Sequence, residues 1–282
     1  MRDLYIAVGF IGFAVVVLLA YLVRAFLVGR ARHARTDADG GSVFLNKASM
    51  EFGYWVLEPL VDLLVALRIT PNMITVWSIF PAFAAGVAVA KGWFGLASLL
   101  GTLAAFGDIL DGLVARRTAV ASPAGEVVDA VVDRYGEFFL LGGLVIYYRT
   151  HWEMLTVILT AIIGSFMVSY ATAKAEAMGV PPARGSMRRA ERAVYLLVGA
   201  GFTPLAKTLF AGFPSHALRE LPIIMALTVV GVVSNVSALQ RFAALAQALK
   251  VRALAPSPLP DRTTPVIPPG VGATDPSTGL VK

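Results

Sequence analysis

Seven apolar runs, at residues 4–28, 70–90, 93–117, 123–149, 152–178, 193–210 and 221–239, follow one another at short intervals in this chain. Each is about long enough to cross a hydrocarbon layer. A backbone in lipid finds no water to bond, so such segments must close their hydrogen bonds internally, as helices. The chain is therefore read as an all-α polytopic membrane protein. With 57% hydrophobic and 15% charged residues it is too apolar for a soluble domain. Its net charge of +6 fits positive loops on the cytoplasmic side. No basic stripe interleaved with aromatics is present, so no nucleic-acid partner is expected. The absence of cysteine excludes disulfides and thiolate metal sites. His33, His151 and His216 are too scattered to make a histidine metal site.

Against this background the run 108–133, DILDGLVARRTAVASPAGEVVDAVVD, is anomalous, because it puts four aspartates among apolar residues. An ionised carboxylate at membrane depth costs several kcal/mol unless it is paired or bound to a cation. On a helix, Asp108 and Asp111 lie about 60° apart and Asp129 and Asp133 about 40° apart, so each pair shares a face. Arg116, Arg117, Ser122 and Pro123 mark a polar turn between them. Two antiparallel helices would then bring the pairs together near one membrane surface. Oxygen ligands without His or Cys suit hard ions, Mg²⁺ first and Mn²⁺ or Ca²⁺ next, and two divalent ions would cancel a charge of four. Gly112 and Gly125 leave the carboxylate face bare at two points, for close approach of a flat ligand or for close helix contact. The acids alone leave an ion-coupled transporter open, since intramembrane carboxylates also mark ion pathways.

The spacing D-x2-D-G-x2-A-R-x8-G-x3-D-x3-D, matched by Asp108, Asp111, Gly112, Ala115, Arg116, Gly125, Asp129 and Asp133, resembles the signature of the CDP-alcohol phosphatidyltransferases. Its eight specified positions favour the enzyme over the transporter. The resemblance implies two divalent metals, Mg²⁺ or Mn²⁺, held by Asp108, Asp111 and Asp129 over the diphosphate of CDP-diacylglycerol. Asp133 would be the general base, touching one metal as well. Gly112, Ala115, Arg116 and Gly125 would border the CDP. The ITPNMIT stretch resembles the element that opens the family's first core helix, adding Asn72 and Thr75 on the cytidine side. Read alone, Thr70 caps this helix and Pro71 starts it. The resemblance also implies a homodimer.

The resemblance divides the chain into an extra N-terminal transmembrane helix with a basic flank (1–35), a linker and amphipathic interfacial helix (36–69), a six-helix catalytic core (70–250) and a Pro-rich disordered tail (251–282). Arg30, Arg32 and Arg35 follow the first apolar run, which argues for an anchor over a signal peptide. In 44–68, Glu51, Glu58 and Asp62 share a stripe, which predicts an interfacial helix bent near Pro59. Starting outside, seven spans put the arginine-rich loops and the aspartates at the cytoplasmic face of the cell membrane.

For the acceptor, SYATAKAEAMG and GSMRRAER are similar to stretches of the phosphatidylinositol-phosphate synthases and their archaeal relatives. That implies Ser169, Lys174, Arg189 and Arg192 beside an inositol-phosphate-like acceptor. Glycerol 3-phosphate is the alternative and a free polyol stands behind both. Thr172 replaces a lysine of that pattern and Lys174 an arginine. Read without the resemblance, these are ordinary positive-inside charges.

Overall fold

The structure, a computed structural model, describes residues 1–29, 47–120, 122–183 and 185–254. Arg30, Arg32, Arg35, the linker at 36–42, Arg184 and the Pro-rich segment from 255 lie outside the described residues. Every regular element among those described is a helix: α1 (Arg2–Val28), α2 (Lys47–Ala66), α3 (Pro71–Ala90), α4 (Phe94–Thr118), α5 (Pro123–Tyr147), α6 (Trp152–Ala177), α7 (Arg189–Leu209), the single turn α8 (His216–Arg219) and α9 (Leu221–Leu254).

Local chemistry sets the boundaries. The Thr70 hydroxyl accepts from Met73 N–H, and Pro71 occupies the first turn, where its missing N–H costs nothing. Ser122 caps α5 in the same way, bonding Gly125 N–H at 3.1 Å ahead of Pro123. The chain leaves α4 through Ala119 in the left-handed region, φ 53°, and Val120 N–H closes onto Ala115 C=O. α7 begins four residues before the expected 193, because Glu191 reaches back to the Arg188 N–H at 2.7 Å and extends the helix into the arginine-rich segment. Arg189 and Arg192 therefore stand on a helix instead of in a loop. α9 likewise runs on to Leu254, past the expected end near 250.

Five helices, α1, α3, α4, α6 and α9, are long and apolar enough to cross a membrane, which makes this a multi-pass membrane protein. α5 and α7 fall short in hydropathy because they carry the charges: Glu126, Asp129, Asp133, Arg134 and Glu137 on one, Arg189, Glu191, Arg192 and Lys207 on the other. At 25 and 21 residues they are nonetheless roughly 37 and 31 Å long, enough for a hydrocarbon layer of about 30 Å.

α3 to α7 and α9 form a closed ring in the order α3, α4, α7, α9, α6, α5. α4 and α5, consecutive in sequence, touch far less than each touches α3, which is wedged between them. The wedge fits because glycines face backbone there: a Cβ on Gly143 would collide with the Gly86 carbonyl, and one on Gly86 with that of Phe139. Val89, Phe94, Leu141, Leu144, Ile158 and Leu227 fill the ring away from the aspartates. At that end Glu220, 5% exposed, accepts from Tyr147 and, at 2.6 Å, from Tyr148, and pairs with Lys207 at 3.0 Å. Its charge is thus satisfied within the protein.

α1 and α2 lie outside the ring. α2 seats Leu57 and Val61 on Leu110 and Val114 of α4 and Ile74 of α3, with Glu58 and Asp62 outward and Asp62 meeting Arg117 at 2.7 Å. The expected stripe of three acids is broken at Glu51, which is 7% exposed. That part of α2 is covered by α1, whose Tyr21 ring stands 5.3 Å from Phe52 and 5.4 Å from Trp55.

Candidate active site

The polar ends of α4 and α5 bring three of the four aspartates together. Asp108 and Asp111 from the last turns of α4 and Asp129 from the second turn of α5 each offer a carboxylate oxygen, and these oxygens lie within 4.8 Å of one another. α3 supplies the floor: Thr75, itself buried, donates its hydroxyl to Asp111 Oδ2 at 2.5 Å. That bond fixes the carboxylate's rotamer and leaves Oδ1 for another partner. α3 and α4 approach closely just before Asp108, where a Cβ on Gly107 would lie 2.6 Å from Ser78 Cβ.

Asp133 stands apart from this trio and forms an ion pair with Arg189 of α7. The same guanidinium nitrogen reaches Asp108 Oδ1 at 3.1 Å, so Arg189 links the fourth aspartate to the other three. Asp133, for which the resemblance implies a metal contact as well, has its carboxylate turned to the arginine, outside the converging trio. A cavity of about 90 Å³ opens beside these residues, walled by Ala82, Ala85, Ala104 and Leu140.

The trio fits a divalent cation. Three carboxylates at this spacing repel one another without one, and Asp129 Oδ1 is buried with no hydrogen-bond partner, an acceptor left for a ligand. The donors are all oxygen, the set hard cations take.

The nucleotide-side residues border the same end. Asn72 is exposed at the start of α3, and its Oδ1 would stand 3.0 Å from a Cβ at Gly125; a Cβ at Gly112 would meet Arg116 Nη1 at 3.2 Å. Both signature glycines thus face polar atoms, whereas Gly86 and Gly143 serve helix contact. Ala115 lies on the same turn as Asp111 and Gly112.

The four acceptor-side residues are not gathered in one place. Arg189 is on the aspartates. Arg192 is 1% exposed and makes a two-pronged pair with Glu137, at 2.6 and 3.1 Å, a partner the sequence reading did not assign. Ser169 bonds its own helix at Ser165 C=O, and Lys174 is exposed in the last turn of α6. The structure adds Arg241 of α9, which donates to Thr172 at 2.5 Å and keeps a buried Nε without a partner. Arg188 and Arg192 lie within electrostatic reach of it. Its signal in the sequence was a lone arginine just past the apolar run ending at 239.

The model of the family "CDP-alcohol phosphatidyltransferase" matches residues 68–213, and the chain belongs to that family. It is 30% identical to the phosphatidylinositol phosphate synthase of Cutibacterium acnes over 68% of this chain and 93% of that protein. With the synthase of the same name from Streptomyces avermitilis it shares 32% over 71% of this chain and 82% of that one. Its fold is similar to the phosphatidylinositol phosphate synthase of Mycobacterium tuberculosis solved with manganese and citrate, at a TM-score of 0.58 and 24% identity, covering 66% of this chain and 87% of that one. The same mycobacterial protein is also known with CDP-DAG bound, at a TM-score of 0.56.

Proposed function

We propose that this protein transfers a phosphatidyl group from CDP-diacylglycerol to a phosphorylated polyol of the inositol-phosphate kind, releasing CMP. The observation that carries the reading is the convergence of Asp108, Asp111 and Asp129 with an orphaned Asp129 oxygen, at the spacing of the family signature. The acceptor rests on the names of the relatives. Asp108, Asp111 and Asp129 hold divalent metal, which when bound there screens the diphosphate and stabilises charge that develops on it. Thr75 keeps Asp111 oriented. Arg189 holds Asp133 in place beside the trio, where Asp133 takes the proton of the acceptor hydroxyl. The acceptor oxygen forms the new bond to the lipid-bearing phosphorus, the bridging P–O bond breaks, and CMP departs with the electron pair. Asn72, Gly112, Ala115, Arg116 and Gly125 border the nucleotide.

On the acceptor side Arg241 stands with Arg188 and Arg192, its free Nε and the positive charge of the three suiting a phosphate, while Ser169 and Lys174 lie along the same end of α6. Arg192 supports this wall from beneath through Glu137.

The reading is tested with purified protein and CDP-diacylglycerol in Mg²⁺, following CMP release across inositol phosphate, glycerol 3-phosphate, free inositol and serine. Inositol phosphate is expected to give the largest kcat/KM. Equal use of free inositol overturns the acceptor, and no CMP with any of them overturns the transferase. Arg241→Ala is expected to raise KM for the phosphorylated acceptor about tenfold or more, the scale of one lost charge-assisted hydrogen bond, with KM for CDP-diacylglycerol little changed. An equal rise in both would remove Arg241 from the acceptor site.

The site faces the cytoplasm, as the distribution of Lys and Arg supports. A reporter fused ahead of Met1 should then report the outside and one fused after the last helix the cytoplasm. Both on one side would contradict this orientation.

A further inference from the structure

α1 lies outside the segment that defines the family, which begins at residue 68, and has no part in the chemistry above. Its two buried residues, Ala7 and Tyr21, lie toward its two ends. At the first, the Asp3 carboxylate accepts from Gly95 and Leu96 N–H at 3.1 and 3.0 Å, capping α4, whose own cap residue Trp93 makes no such bond. Ala7 is fully buried there, and a Cβ on Gly95 would lie 2.5 Å from the Asp3 carbonyl. At the other end Tyr21 is buried against α2.

Ala7, Ile11, Ala14, Leu18 and Tyr21 follow one another at intervals of three and four and so form one face of α1. Its ends are docked and its middle stands off. Ile11, Ala14 and Leu18 form one wall of a cavity of about 470 Å³, whose other walls are α4 and α7, with Phe52 of α2. The cavity lining includes Ser98 and Thr102, but both hydroxyls are spent on backbone carbonyls, of Leu197 and Ser98, at 2.8 Å. It turns ionic only at Asp108 and Arg189, which it shares with the carboxylate pocket. Along α7 the lining extends from Arg189 to Phe202, roughly 20 Å, somewhat more than the depth of one leaflet of a layer about 30 Å thick.

We propose that α1 is a strap over the tail-binding channel of the lipid donor, with one acyl chain lying between α1 and the α4–α7 face, so that α1 sets which chains are accepted. The proposal rests on the phosphatidyltransferase reading: a donor whose diphosphate lies at the aspartates must place its tails in contiguous apolar space, and this channel is continuous with them. Because the strap is held at both ends, chain length and bulk are read by the protein instead of being left to the bilayer.

Two measurements test this. In the first, Ala14→Trp fills the middle of the channel, with Phe13→Trp on the lipid-facing side as control. KM for dioleoyl CDP-diacylglycerol should rise about tenfold in Ala14→Trp, while KM for the dioctanoyl donor and kcat stay near wild type; Phe13→Trp should change neither. An unchanged long-chain KM, or an equal rise for both donors, overturns the strap. The second measurement needs no variant. A CDP-diacylglycerol with a diazirine midway along one acyl chain should label residues 10–18 of the wild-type protein, and excess unlabelled donor should remove the label. Labelling only elsewhere, or equal labelling by a diazirine phosphatidylcholine, overturns the proposal, the latter by assigning the channel to bulk lipid. If wild-type protein releases no CMP from either donor, the transferase reading fails instead, and competed labelling of α1 still reports where the lipid binds.

Discussion

Asp129→Ala lowers the rate of CMP release by about 100-fold or more, the scale on which losing one electrostatic partner of developing charge is felt, and in the absence of metal it makes the protein no less stable. Both halves follow from the same geometry. Three carboxylate oxygens within 4.8 Å, beside an Asp129 oxygen that is buried without a hydrogen bond, are destabilising to one another unless a cation is present. Removing one relieves repulsion in EDTA and removes a ligand in Mg²⁺. Wild-type protein should therefore gain melting temperature on adding Mg²⁺ or Mn²⁺, by about 2–4 °C for each kcal/mol of binding energy, and Asp129→Ala should gain far less. Asp108→Ala and Asp111→Ala should behave alike. Asp133→Ala should lose activity while keeping most of the metal-dependent gain, because its carboxylate is engaged with Arg189. A thermal scan of each variant with and without metal checks this, and a full gain in Asp129→Ala removes that residue from the metal site.

Arg192→Ala destabilises the fold by about 3–5 kcal/mol, the cost of leaving a buried charge without its partner. With side chains 1% and 9% exposed, Arg192 and Glu137 have no water to replace each other. Glu137→Ala should be similarly damaging. The pair Arg192→Met with Glu137→Leu should recover much of the stability, since two buried charges exchanged for apolar groups of similar size often cost little. An acceptor-binding arginine predicts something different: a raised KM with a fold of normal stability, unrelieved by the second substitution. Melting temperatures of the four proteins, read beside acceptor KM, separate the two roles.

What was legible in the sequence was what depends on near neighbours. Thr70 with Pro71 announces a helix start because a cap and its N–H lie three residues apart, Ser122 and Pro123 announce a turn, and the aspartates pair by face because helical spacing is fixed. Convergence of Asp129 with Asp108 and Asp111 also followed, the polar turn between them being short. The interposed α3 did not follow, since nothing in a four-residue turn says that its two helices will be held apart by a third. Partners distant along the chain were hidden for the same reason. Arg192 reads as a loop charge from its neighbours, and its partner Glu137 lies 55 residues earlier; Arg241 bonds Thr172 of another helix, 69 residues away. Asp3 read as one more polar residue at a terminus, and its partners are 92 and 93 residues away.

The position of Arg189 bears on the order in which the protein is assembled. The hairpin of α4 and α5 is synthesised and inserted with all four aspartates in place, but the arginine that bridges Asp108 and Asp133 arrives 81 and 56 residues later, with α7. Domains grow from the N-terminus as the chain emerges. For that interval the acids are present without the guanidinium that pairs with two of them, so the ion pairs at the polar end form only when α7 takes its place between α4 and α9.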